Sequence, residues 1–386
     1  MGTYIILLTS TLHTNEGDHY LLNISKGGYR YMKKLNLAII GQGRSGRDIH
    51  GKYFLTDPDR FKVVAVVEAL EDRRNRAAEE YGCDTYENYQ ELFGRSDIDL
   101  VVNASFSHMH AHTTIDLLNN GFNVLTEKPC ARTPEEVQAM IDAAKANKRM
   151  FAIFQQSRFA PYFEKVKDVI NSGILGRIVQ ISINFNGFAR RWDWQCCQEF
   201  VAGSLYNTGP HPLDQALNLL DYYDGMPQVF CKMDRANTFG DAEDYVKLIL
   251  TAPDRPLIDI EISSCDAYPT YTYKVQGTRG GLEGSMTHIK WRYYDERVAP
   301  RRELIKTPLK DEQGLPMYCS ETLYWAEETW SVEDPGVFNH AVKRFYDNIY
   351  GHLTEGTPLI VTPQQVKQQI HVINLCHEQN PMPRFC

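Results

Sequence analysis

Residues 35–50, LNLAIIGQGRSGRDIH, constrain the fold more than any other stretch. An apolar run, Leu37 to Ile40, stops at Gly41-Gln42-Gly43-Arg44-Ser45-Gly46, and 47–55 reads as helix. Strand, glycine turn and helix in this order form the unit that binds a dinucleotide pyrophosphate. Gly41 permits the tight turn. Gly43 lets backbone approach phosphate oxygens, and Gly46 lets helix and strand pack closely. Gln42, Arg44 and Ser45 complete the loop, and the first N–H groups of the helix face the anion. Glycine turns are common, so context decides. FKVVAVV at 61–67 reads as a second buried strand, and Glu68 stands at its end. An acid about 20 residues past the last glycine binds the ribose 2′-OH.

Strand and helix go on alternating to about residue 154, with strands at 99–104, 123–126 and 150–154 and helices at 72–81, 89–93 and 108–120. Thr133-Pro134 opens another helix, with threonine as cap and proline at the first position. Ligands of such sheets lie beyond the carboxyl ends of the strands, which places Ser105, Phe106, Ser107 and Glu127-Lys128-Pro129 beside a cofactor. The texture then changes. Helix 162–171 is followed by longer alternating strands at 177–185, 228–234, 245–251, 257–263 and 271–276, with a hairpin over 282–294 and helices at 213–220, 338–350 and 363–377. Residues 298–332 read as a polar excursion. The expected fold is α/β: an N-terminal Rossmann dinucleotide-binding domain (32–154) and a C-terminal α/β domain (155–386) with a large, mostly antiparallel, open-faced sheet. An exposed apolar sheet face needs a cover, which predicts a homodimer or homotetramer.

Bulk properties narrow the partners. A chain of 386 residues has room for two domains. The net charge of −8 opposes nucleic-acid and anionic-membrane binding. No apolar stretch approaches the ~18 residues of a membrane span. Nine cysteines without a C-x-x-C predict reduced thiols and a cytoplasmic protein. His108, His110 and His112 cannot share one helical face, so no metal site is expected. Residues 1–31 do not fit the rest: Met32-Lys-Lys leads directly into the first strand, and codons for Lys26-Gly27-Gly28 can spell a ribosome-binding site, so 1–31 reads as a disordered or translated leader.

Several stretches taken together resemble the Gfo/Idh/MocA oxidoreductases, the glucose–fructose oxidoreductase and inositol dehydrogenase family: GQGRSG at 41–46, ASFSHMH at 104–110, EKP at 127–129, QSRFAPYFEKVKDVINSGILGRI at 156–178 and GSLYNTGPHPLD at 203–214. The resemblance implies that Lys128 lies against the nicotinamide and the reacting carbon, polarising the substrate oxygen, and that the Lys128–Pro129 bond is cis. It implies that His211 is the acid/base toward the hydroxyl. The family usually has an aspartate four residues before that histidine. Asn207 stands here, and an amide orients a hydroxyl but takes no proton. Asp214, one turn on, is a candidate support for the imidazole. His110 matches a cofactor-pocket histidine, and Arg158 a position near the substrate. Glu68 favours NAD over NADP, whereas Arg73 and Arg74 are cations that could admit the 2′-phosphate.

The loop Phe188-Ala-Arg-Arg-Trp192-Asp-Trp194, with Tyr206, could give a sugar ring an aromatic wall and guanidinium donors; equally, its tryptophans could pack the sheet or a subunit contact. The expected activity is NAD-dependent oxidation of a secondary hydroxyl of a sugar, cyclitol or glycoside. The alternatives are glycoside cleavage or modification through a transient keto-sugar with bound NAD, and an NAD-binding sensor without catalysis.

Overall fold

The computed structural model describes residues 20–25, 28–333 and 336–386. The expected leader lies partly outside them. Within it, β1 (Tyr20–Ser25) and β2 (Gly28–Lys33) pair as an antiparallel hairpin. The parallel sheet that follows contains β3 (Leu35–Ile40), β4 (Phe61–Val67), β5 (Asp84–Tyr86), β6 (Leu100–Asn103), β7 (Val124–Thr126) and β8 (Phe151–Ile153), in the order β5-β4-β3-β6-β7-β8. Leu37, Ala38, Ile39, Val101 and Val102 are wholly buried. Strands covered on both faces read as continuous apolar runs, which is why LNLAII and DLVVN lack alternation. After β3 the chain makes a wide helical turn, Arg44–Gly51, which continues as α1 (Lys52–Thr56). α2 (Glu71–Tyr81), α3 (His110–Asn119) and α4 (Pro134–Ala146) complete the layer. The Thr133 hydroxyl accepts from the Glu136 N–H and the Glu136 side chain reaches back, so α4 begins with a capping box.

α5 (Pro161–Asn171) leads into an eight-stranded mixed sheet. Its strands are β9 (Ile178–Asn186), β10 (Gln228–Asp234), β11 (Tyr245–Thr251), β12 (Leu257–Ser263), β13 (Tyr273–Gly277), β14 (Gly280–Gly284), β15 (His288–Tyr294) and β16 (Trp325–Ser331). The order is β10-β11-β12-β9-β13-β14-β15-β16, and every pair is antiparallel except β9 with β12. α6 (Ser204–Asn207) and α7 (Pro210–Leu220) lie between β9 and β10, with α7 packed on β9 and β12.

The second face of this sheet differs from expectation. YVKLILT and LIDIEIS alternate, burying Val246, Leu248, Leu250, Ile258, Ile260 and Ile262. Their other face carries Lys247, paired with Asp259 at 2.7 Å and Glu261 at 3.2 Å. Over β11 and β12 the open face is therefore mixed, this ion-paired cluster lying among Tyr245, Ile249 and Leu257, because period-two alternation sends every second residue outward. The excursion is also shorter than 298–332: its end forms β16 against β15. Most of β16 is exposed on both faces, so it carries no burial alternation to read. A broad groove of about 950 Å³ runs over β13–β16, beside the excursion that exposes Leu304, Ile305, Leu315, Tyr318 and Tyr324.

α8 (Val337–Glu355) and α9 (Pro363–Gln379) tie the two halves together. Tyr346 of α8 stacks on Tyr53 (ring centroids 4.8 Å apart) and meets Phe54 and Phe61 edge-on. Gln369 of α9 accepts from Gln155 at 2.8 Å and donates to the Pro210 carbonyl at 2.7 Å. These contacts fix the end of the parallel sheet, with Lys128, against α6 and α7.

Candidate active site

The glycine turn is built as its spacing requires. Gly41 has φ +89°, and a Cβ there would strike the Ala104 carbonyl, so the turn lies directly on the end of β6. A Cβ at Gly46 would collide with the Gly41 carbonyl, whereas a Cβ at Gly43 would meet nothing within 4 Å. That open side is a cradle for a phosphate, and the residues present fit a dinucleotide. Arg44 is exposed beside it and Ser45 half-buried. Gln42 contributes main chain only: its side chain is buried, donating to the Gly41 carbonyl at 3.2 Å. Glu68 accepts from the Gln42 N–H at 2.7 Å and the Leu70 N–H at 3.1 Å, which sets the acid beside the turn. Arg74 donates to the Glu68 and Ala69 carbonyls at 2.7 and 2.6 Å, and Arg73 lies 3.8 Å from Glu68.

The loops after β6 and β7 are joined by His110, whose Nδ1 is 2.7 Å from the Pro129 carbonyl and Nε2 3.0 Å from that of Ser105. Burial pushes this imidazole's pKa down while the two carbonyls oppose the shift, and the ring braces the pocket wall by bridging the two loops. Ser105 Oγ donates to Asn103 at 2.8 Å, and Ser107 is buried. The Lys128–Pro129 peptide is cis. Glu127 does not face the cofactor side. It is buried, with Oε1 3.1 Å from His50 Nε2 and Oε2 accepting from the Lys128 N–H at 2.9 Å. Burial opposes its ionisation, but the hydrogen bond and charge of His50, with Lys128, hold its pKa at about 2.

Lys128 Nζ donates to the Asn207 carbonyl at 2.8 Å and lies 3.5 Å from its Oδ1. Burial lowers the ammonium's pKa, as do Arg44 and Arg191, while Glu127 raises it. His211, in the first turn of α7, has Nδ1 3.2 Å from Ser157 Oγ. Burial and then the Lys128 charge push its pKa down to about 3, so the ring is neutral near pH 7 and within electrostatic reach of the lysine. The fold thus brings Lys128, Asn207 and His211 together.

Three further expected roles change. Asp214 does not support the imidazole and Arg158 does not face a substrate. Both are buried and pair with each other, Nε–Oδ2 at 2.7 Å and Nη2–Oδ1 at 2.5 Å, because two charges withdrawn from water require one another. Tyr206 is also buried, donating to the Arg132 carbonyl at 3.0 Å and stacked on His377. Trp194 meets Phe106 at 5.0 Å and Phe200 at 5.9 Å, anchoring its loop to the cofactor side. Trp192 is 78% exposed, and Arg190 is spent on the face of Phe239.

Sequence reasoning missed His50, Tyr346, Ser157, Gln195 and Glu243. Glu243 is buried beneath Gly203 and accepts from the Leu205 N–H at 2.8 Å; burial raises its pKa to about 7. Gln195 accepts from Asn207 Nδ2 at 3.3 Å. A histidine one turn past Gly46, on the helix face turned to the core, was the one available signal. Among the described residues, no group of His, Cys, Asp or Glu is placed to hold a metal ion, all nine cysteines are free, and no helix is long and apolar enough to cross a membrane.

Comparison with known proteins places the fold. The profile of an oxidoreductase family with an NAD-binding Rossmann fold matches residues 35–155, and that of the GFO/IDH/MocA C-terminal domain matches 163–283. The chain is 25% identical to scyllo-inositol 2-dehydrogenase (NADP(+)) of Bacillus subtilis over 92% of this chain and 97% of that protein. It is 25% identical to 2,7-anhydro-N-acetylneuraminate hydratase of Mediterraneibacter gnavus over 66% and 68%. Its fold matches the WlbA dehydrogenase of Bordetella pertussis, solved with NADH and UDP-GlcNAcA, at TM-score 0.69 and 18% identity, over 90% of this chain and 95% of that one. With its two domains matched in order over most of its length, the chain belongs to the Gfo/Idh/MocA family of oxidoreductases.

Proposed function

We propose that the protein is an NAD-dependent dehydrogenase for a secondary hydroxyl of a sugar, cyclitol or glycoside. The convergence of the Lys128 ammonium and the neutral His211 ring beside Asn207 carries this reading. The glycine turn and Glu68 would hold the dinucleotide, and a bound nicotinamide supplies the hydride acceptor. The Lys128 ammonium has donors beyond the one given to Asn207, and these stabilise alkoxide character on the substrate oxygen. With Nδ1 directed at Ser157, Nε2 of His211 is the atom that takes the hydroxyl proton. Its weak basicity makes the imidazolium a strong acid, which also suits protonation of an alkoxide in the reverse direction. The Asn207 amide orients a hydroxyl without competing for the proton. Glu68 disfavours a 2′-phosphate, so NAD is preferred to NADP.

A second reading has one specific support. A hydratase is among the relatives, and Asn207 replaces the usual acid. Transient oxidation to a keto-sugar would acidify the neighbouring C–H and permit elimination with no net NADH. A screen of sugars, cyclitols and glycosides with NAD, reading NADH absorbance and product mass together, separates the two. Turnover of a hit that is unchanged in Lys128→Ala would remove Lys128 from both readings, and NAD binding with no turnover of any compound would leave a sensor. The exposed apolar excursion beside the β13–β16 groove supports a second copy of the chain as its cover, giving a dimer or tetramer.

A further inference from the structure

A polar line is buried where apolar packing would suffice. Tyr346 and His50 are wholly buried and Glu127 is 4% exposed, inside a nest formed by Tyr53, Phe54, Phe61 and Phe154. Tyr346 Oη lies 2.6 Å from His50 Nδ1, His50 Nε2 lies 3.1 Å from Glu127 Oε1, and Glu127 Oε2 takes the Lys128 N–H at 2.9 Å. Buried polar groups are costly unless satisfied, and an apolar trio of similar volume would fill the same space. We propose that this line exists for Lys128: Glu127 is the fixed counter-ion that keeps the amine charged, and His50, steadied by Tyr346, holds Glu127 in place.

The proposal rests on the reading of Lys128 as the oxygen-polarising ammonium. The groups facing that amine are Glu127 from its own turn, Arg44 from the glycine turn, Arg191 from the aromatic loop, and the uncharged Asn207 and His211 from α6 and α7. Glu127 is the one group among them with a negative charge, and the Asn207 carbonyl adds a hydrogen-bond acceptor. Both of its oxygens are engaged, so it cannot swing forward to pair with the ammonium and occupy the donors a substrate needs. A carboxylate pinned behind the lysine therefore supplies field without taking hydrogen bonds. His50 and Glu127 are positioning residues.

The test reads the amine directly. Reductive ¹³C-methylation labels lysines, and the Lys128 resonance is identified by its absence in Lys128→Arg. Glu127→Gln should lower its titration midpoint by about one unit or more, a tenfold change, while Glu127→Asp keeps the charge and stays within about half a unit. His50→Gln keeps an N–H near the position of Nε2 and leaves the midpoint in place; His50→Leu lowers it. NAD binding and cooperative melting establish that each variant is folded. An unchanged midpoint in folded Glu127→Gln, or in folded His50→Leu, overturns the proposal; should one fail to fold, the other decides. Lys128→Ala separates the two readings. If it loses turnover while the midpoints do not move, only the counter-ion role falls; if it retains turnover, the assignment of Lys128 falls whatever the titrations show.

Discussion

The Lys128 ammonium is held by the main-chain carbonyl of Asn207, at 2.8 Å, and not primarily by its side chain, whose Oδ1 is 3.5 Å away. The residue that departs from the family's aspartate thus still anchors the lysine, through an atom that substitution does not remove. Asn207→Ala should cost less than about tenfold in kcat/KM, since the carbonyl persists and only the orienting amide is lost. Asn207→Asp places a carboxylate beside the ammonium and should shift the alkaline limb of kcat/KM upward. A limb that stays in place in Asn207→Asp would show that Lys128 does not produce it.

Glu68, proposed to bind a ribose hydroxyl, accepts two backbone N–H groups beside the glycine turn. Glu68→Ser should lower the NAD-to-NADP preference by about tenfold, because repulsion of the 2′-phosphate disappears while Arg73 remains nearby. Paired kcat/KM measurements with the two cofactors check this, and an unchanged ratio counts against the assignment.

Arg158 and Asp214 form a buried ion pair below His211. Arg158→Ala should destabilise the fold by about 3–5 kcal/mol, because it strands a buried carboxylate. Replacing both residues with apolar ones should restore much of that loss. Urea unfolding of the single and double variants measures it. A stable Arg158→Ala with a raised KM would return Arg158 to the substrate.

Acid should draw stability from two residues of the site over overlapping ranges of pH. His211 is held at about 3 against an ordinary 6.5, by burial and then the Lys128 charge. The unfolded chain therefore binds that proton first, and stability falls as pH drops from 6.5 towards 3. Glu127 is held at about 2 against an ordinary 4.5, burial being outweighed by His50 and Lys128. Its contribution is fully present above 4.5 and is lost as pH falls through 2. His211→Gln should consequently lose less stability than the native chain between about pH 6.5 and 5. Equal slopes in chemical unfolding across that window would refute it.

Leu304, Ile305, Leu315 and Tyr318 are 84%, 60%, 61% and 95% exposed. Covered by a second copy, they predict a dimer or larger assembly in light scattering at micromolar concentration, weakened by Leu304→Asp with Tyr318→Asp. A monomeric mass for the native chain would contradict this.

What the sequence determined by itself was local. The glycine turn, the buried parallel strands, the alternating strands of the second sheet and the cap of α4 follow from backbone sterics and periodicity, which act over a few residues. Lys128, His211 and Asn207 were legible because each stands in a short stretch resembling a known family. Tertiary structure decided the rest. Arg158 turned from substrate contact to partner of Asp214, Tyr206 from pocket wall to buried donor, and His50 and Tyr346 came to stand behind Glu127. The partners in these pairs lie tens to hundreds of residues apart. Which of them meet is set by how helices close over sheets and exclude water, and a buried polar group takes whichever complement that packing delivers.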